Sequence, residues 1–126
     1  MADTDIQRKT FKAGERVFRE GEAGDNAYIV ESGQIEISKK VGEDELAVVA
    51  VVGKGALIGE MALIDNEPRA ATARVVKPAV LLVIGQDDLN ERMKRSDPIV
   101  SRLLKVLTVR LRSETRKAAN FKTIVR

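Results

Sequence analysis

The 126-residue sequence contains no cysteine and no histidine. Without cysteine there is no disulfide framework, thiol nucleophile or thiolate zinc site, and without histidine the usual general base and the commonest metal ligand are both missing. Most enzyme chemistry is thereby disfavoured, and no catalytic or metal-binding residue is assigned. Tryptophan is also absent, and Phe11, Phe18, Tyr28 and Phe121 make up all the aromatics. That is too few for the stacking platforms with which single-stranded nucleic acids are held. Long apolar runs are lacking as well. The longest, Leu46 to Val52, is far short of the ~20 residues of a membrane-spanning helix, and Met1 to Lys12 has no apolar core of the secretory kind. The expectation is a single cytoplasmic domain with one hydrophobic core.

What the sequence does have is an uneven distribution of charge. The formal net charge is +3, but residues 1–88 carry 11 basic and 16 acidic side chains, whereas residues 89–126 carry 11 basic and 3 acidic. The first part is acidic at −5 and the tail basic at +8.

From Phe11 to Ile84 the pattern is of short β-type runs punctuated by glycine: Arg16 to Phe18, Ala27 to Glu31, Gln34 to Ser38, Leu46 to Val52, Thr72 to Val76 and Ala79 to Ile84. Gly33 between two such runs predicts a tight hairpin turn, and Gly42-Glu43-Asp44 predicts the next hairpin tip. After Gly85 the pattern becomes helical. Asp87-Asp88 opens a short helix, and Asp97-Pro98 reads as an N-cap with proline in the first helical position. Val100, Leu103, Leu104, Leu107 and Leu111 then follow at helical intervals to near Arg116. The apolar stripe, widened by Val106 and Val109, suits either docking on the β domain or self-association.

One segment carries chemistry, residues 58–73. Gly59 allows close backbone approach to a ligand, and Met61 to Ile64 suit a single helical turn whose free N–H groups could meet an anion. Arg69 offers a planar fork for two phosphate oxygens, and small Ala70 and Ala71 leave their own N–H groups accessible. Glu60, an acceptor beside this cationic nest, suits a sugar hydroxyl. An acceptor beside an anion cradle implies a ribose phosphate.

The run Gly59-Glu60-Met61-Ala62-Leu63 with Pro68-Arg69-Ala70-Ala71-Thr72 resembles the phosphate-binding cassette of the cyclic nucleotide-binding domain family. That family includes kinase regulatory subunits, gated channels and catabolite-activator-type transcription factors. Phe11, Gly14-Glu15, Val17-Phe18, Glu20-Gly21, Gly24, Tyr28-Ile29-Val30 and Ser32-Gly33 resemble its early strands and turns. The resemblance implies a mainly β fold with C-terminal helices, a jelly-roll-like β-roll at about 10–85 closed by two to three helices at about 86–118, with 119–126 as a tail. It also implies a cyclic nucleotide ligand and no other cofactor. Arg69 would pair with the cyclic phosphate, and Glu60 would accept from the ribose 2′-hydroxyl. The backbone of Gly59, Met61, Ala62, Ala70 and Ala71 would line phosphate and sugar, and Val52 and Ile58 would face the base. Ile58 departs from the aromatic residue that many members place there. Ala70 lacks the hydroxyl that favours guanine in the family, which points to cAMP over cGMP. Leu107, Leu111, Glu114 and Thr115 are candidates for a lid on the base.

Two other readings compete. The +8 tail suggests a fragment of a nucleic-acid-binding regulator, but the residues after Arg116 are too few for a helix-turn-helix domain. Direct nucleic-acid binding is therefore disfavoured. The other is a degenerate member of the fold acting as an interaction module. The partners expected are the cyclic nucleotide and either a second copy of the chain, through the C-terminal helix, or an effector protein. The sequence leaves open whether the chain stands alone or is part of something longer.

Overall fold

The structure is a computed structural model that describes residues 6–63, 68–107, 109, 110 and 113. Its strands are β1 (Gln7–Phe11), β2 (Arg16–Phe18), β3 (Asn26–Lys40), β4 (Leu46–Val52), β5 (Leu57–Ile58) and β6 (Thr72–Gly85), with a 3₁₀ turn at Glu60–Leu63. Helix α1 spans Gln86–Lys94, and α2 runs over 98–107 with 109, 110 and 113 also helical. The fold is mainly β, a β-roll followed by C-terminal helices, and the chain divides into two compact units, Met1–Gln86 and Asp87–Arg126.

The roll is organised around one long antiparallel ribbon, β3 against β6. Along its length β6 also pairs with β1 and β2, while β3 also pairs with β5 and β4. The predicted hairpin at Gly33 is therefore not formed, because Ala27–Glu31 and Gln34–Ser38 belong to one strand. The reason lies in the register. Val30 pairs with Leu81 and Ile35 with Val75, so the pairing slips by one residue between them. On an odd slip every later side chain changes face, which puts Ile35 and Ile37 on the same side as Tyr28 and Val30. A phase change that sequence patterning ascribes to two strands is produced by a bulge in one.

Gly33 sits at that bulge with φ +97°, and a Cβ there would collide with the Pro78 carbonyl oxygen and with Ala79. Pro78, which has no N–H to give to a ladder, lies in the same irregularity, which joins the two predicted runs of β6 into one strand. The tip at 42–44 forms as expected, closed by Val41 N–H donating to the Glu45 carbonyl at 3.1 Å.

The core is made by one face of this ribbon. Tyr28, Val30, Ile35, Val75, Ala79 and Leu81 are buried there together with Phe18, Ile58 and Ala73. β4 is the outermost strand beside β3, and its Leu46, Val48 and Val51 are exposed.

The starts of both helices in the second unit follow their predicted signals, while the expected end of the second helix near Arg116 and the tail at 119–126 lie outside the described residues. Asp87 and Asp88 lie in the first turn of α1 and Arg92 and Lys94 in its last, complementing the helix dipole. Asp97 caps α2, its Oδ1 accepting from Ile99 N–H at 2.8 Å, with Pro98 as the first helical residue. The stripe of Ile99, Val100, Leu103, Leu104, Val106, Leu107 and Val109 is solvent-exposed. No helix among the described residues is long and apolar enough to cross a membrane.

Candidate functional site

The site is built where the loop before β6 meets the turn after β2. Arg69 N–H donates to the Glu22 carbonyl at 2.8 Å, and Gly21 N–H donates to the Arg69 carbonyl at 2.8 Å, so its backbone is held from both sides. Two further bonds anchor the neighbouring residues 70 and 72. Lys39 Nζ donates to the Ala70 carbonyl at 3.0 Å, and Thr72 Oγ1 accepts from Glu20 N–H at 2.9 Å.

The Arg69 side chain turns inward and is only 8% exposed. Its Cζ lies 4.3 Å from the centre of the Phe18 ring, and that ring stacks on Tyr28 with centroids 6.2 Å apart. Nη1 donates to the Gly59 carbonyl at 3.3 Å. Space for the guanidinium depends on two glycines. A Cβ on Gly24 would lie 2.5 Å from Nη2, and one on Gly59 would lie 2.7 Å from Nη1.

The electrostatics are unusual for a buried arginine. Among the described residues no carboxylate pairs with Arg69, and its Nε is buried with no hydrogen-bond partner. A desolvated cation without a counter-charge costs several kcal/mol, so the arrangement is one that an anionic ligand would complete. Arg69 would present a charged, planar donor, and the backbone of Gly59 and the turn would lie alongside.

Of the other predicted site residues, Gly59 meets this arginine directly. Gly59 has φ +71°, a conformation open to glycine, and leads into the 3₁₀ turn that carries Glu60, Met61 and the backbone of Ala62. The turn begins at Glu60, one residue earlier than the Met61 to Ile64 expected. Glu60 is half-buried, Ala71 likewise, and Ala70 is exposed. Val52 packs partly buried against the core. Ile58 is 4% exposed within the core cluster and pairs with Tyr28, so its place is in the core and little of its surface remains for a base. Leu107 is exposed on α2, while Leu111, Glu114 and Thr115 lie outside the described residues.

Sequence reasoning did not connect Phe18 or Gly24 to the site, since neither carries a donor or charge, and both lie far from Arg69 along the chain. Their only signal was their place in the glycine and aromatic pattern of the early strands.

The chain is 29% identical over 115 residues to a CRP-like cAMP-activated global transcriptional regulator of Mycobacterium tuberculosis, covering 91% of this chain and 51% of that protein. It is 37% identical over 105 residues to a cAMP-dependent protein kinase regulatory subunit of Yarrowia lipolytica, covering 78% of this chain and 27% of that one. The chain thus spans about half or less of these relatives' length. Among solved structures it resembles the EAL enzyme Bd1971 in its cAMP-bound form, at TM-score 0.71 and 33% identity, covering 94% of this chain and 32% of the other. The cGMP-bound form of the same enzyme matches at TM-score 0.72 and 35% identity, covering 90% and 30%. The family model of the cyclic nucleotide-binding domain matches residues 8–96, the stretch that contains the buried arginine, its glycine-lined slot and the turn beside it. The chain belongs to the cyclic nucleotide-binding domain family.

Proposed function

We propose that this domain is a non-enzymatic sensor that binds a 3′,5′-cyclic nucleotide, with cAMP preferred to cGMP. The observation that carries the reading is the buried Arg69 guanidinium, which has no carboxylate partner among the described residues and an unpaired Nε. A cyclic phosphate supplies the single negative charge and the two acceptor oxygens that such a group lacks. Glu60, whose carboxylate has no partner among the described residues, accepts from the ribose 2′-hydroxyl. The backbone of Gly59, Met61, Ala62, Ala70 and Ala71 lines phosphate and sugar, and Val52 lies towards the base. Ala70, with only a methyl group, offers no hydroxyl to the guanine amino group, which supports cAMP. The cAMP-linked relatives point the same way, and the cGMP-bound form of Bd1971 keeps cGMP in the comparison.

Signalling proceeds through the C-terminal helix, the ligand favouring whichever arrangement of that helix binds it better. The exposed apolar stripe of α2 supports a protein partner, either a second copy of the chain or an effector. The site is tested by calorimetric titration of cAMP and cGMP against wild type, Arg69→Ala and Arg69→Lys. Loss of charge-assisted bonds to phosphate, about 2 kcal/mol, predicts weakening of roughly 30-fold or more for Arg69→Ala. Lysine restores little, because a point charge does not replace the fork. Wild-type affinity in either variant overturns the reading. Mass measurement with and without ligand checks self-association.

A further inference from the structure

The geometry points to Phe18 as a positioning residue for the anion-binding arginine, an aromatic face that holds the guanidinium in place before ligand arrives. The inference rests on the reading of Arg69 as the phosphate contact. An arginine side chain has several rotatable bonds, and fixing it on binding costs affinity. Here that cost is lowered in advance. The backbone is held by the bonds to Glu22 and Gly21, and Nη1 is held by the Gly59 carbonyl. Neither fixes the plane of the guanidinium. The Phe18 ring, 4.3 Å from Cζ, supplies a face on which the group can lie flat. The ring is itself immobilised, buried in the core and stacked on Tyr28.

The lack of a carboxylate partner among the described residues gives this arrangement its consequence. A carboxylate could hold the guanidinium equally well, but it would occupy N–H donors and neutralise the charge that an anion needs. An aromatic face attracts the cation through its quadrupole while taking up no N–H in the plane of the fork. Nε accordingly remains buried and unpaired. Phe18 thus orients the cation and leaves its donors free for the ligand.

The test separates this electrostatic role from packing. Phenylalanine at position 18 of the full chain is replaced by its 4-fluoro, 3,5-difluoro and 3,4,5-trifluoro analogues, which nearly keep the shape but progressively weaken the ring quadrupole. Cyclic AMP affinity is measured by calorimetry for each, with Arg69 intact and in an Arg69→Gln background. The expected result is a stepwise loss reaching roughly fivefold at three fluorines with Arg69 present, and no trend with glutamine. A flat series with Arg69 present, alongside weakened binding by Arg69→Gln, overturns the role of Phe18 while leaving the phosphate reading standing. Equal loss in both backgrounds assigns the effect to packing and also overturns it. Wild-type affinity of Arg69→Gln itself removes the phosphate reading and this inference with it.

Discussion

Gly24→Ala is the most discriminating single substitution that the structure suggests. The added methyl would sit 2.5 Å from Nη2, 2.6 Å from Nε and 2.7 Å from Cζ of Arg69. Carbon in ordinary contact needs ~3.5 Å, so the guanidinium must retreat by about 1 Å. That is enough to break at least one charge-assisted hydrogen bond to a bound phosphate, worth ~1.5–3 kcal/mol, and cAMP affinity is expected to fall roughly 10- to 100-fold. Stability should barely change. Gly24 does not occupy the left-handed region, and what yields is the end of a flexible side chain rather than backbone. Alanine also narrows the unfolded ensemble by ~0.4–1 kcal/mol, which offsets a weakened cation–π contact of similar size. Calorimetric titration with cAMP should therefore show a large loss, and the ligand-free protein should melt within about 5 °C of wild type. A folded Gly24→Ala protein that binds like wild type would refute the placement of Arg69 at the phosphate. A collapse of the melting temperature would refute the claim that the slot yields without cost.

Three further outcomes are expected. Gly33→Ala, at positive φ and against the Pro78 carbonyl and Ala79, should destabilise by about 2 kcal/mol or more in urea unfolding, because backbone has to move; a change under about 0.5 kcal/mol would count against the bulge. Ala70→Thr, at an exposed position, restores a hydroxyl of the kind associated with guanine in this family. It should raise cGMP affinity about fivefold with little effect on cAMP, and unchanged selectivity in competition binding would remove residue 70 from the specificity argument. Asp97→Ala removes the oxygen that accepts from Ile99 N–H, and should cost about 1 kcal/mol of local stability at the start of α2, visible as faster amide exchange at residues 99–101 and not in the β strands.

How much of the molecule was legible in the sequence depended on whether a signal was local. The Asp97-Pro98 cap, the Gly42-Glu43-Asp44 tip and the Gly59-Glu60 turn are set by residues adjacent in the chain, and the sequence marks them directly. The continuity of β3 was hidden, because a one-residue bulge and a chain reversal both interrupt alternation. What separates them is the long pairing with β6, which no short window contains. Arg69 could be singled out by its chemistry, and Glu60 by its neighbour. The slot around Arg69 could not, since Phe18, Gly24 and Gly59 meet there only after the early turn folds against the loop before β6. β1 and β5 were missed for a related reason: one mixes charged with apolar residues, the other has two residues, and both are defined by the long strand beside them.

The acidic excess of residues 1–88 looks unfavourable for an anionic ligand, yet a summed charge ignores what each carboxylate already holds. Glu15 accepts from Lys12 N–H at 2.6 Å, Glu22 from Arg19 N–H at 2.9 Å and Glu20 from Lys40 N–H at 2.8 Å. Glu31 pairs with Arg8 and Glu36 with Arg74. The backbone N–H partners hold the first three carboxylates in place without neutralising them, the arginines offset the charge of the other two, and beyond a Debye length of ~8–10 Å salt screens what remains of such groups. Arg69 is the opposite case, a buried cation that no neighbouring carboxylate offsets among the described residues, in a site where screening by water is weak. The local potential is therefore set by one arginine and not by the arithmetic of the whole segment. Under the proposed reading Glu60 would not undo this, because it would accept from a sugar hydroxyl and stand apart from the phosphate held by Arg69. One charge of each sign, nine positions apart in the chain and neither in an ion pair among the described residues, is the arrangement that a ligand with an anionic and a hydroxyl end would satisfy at once.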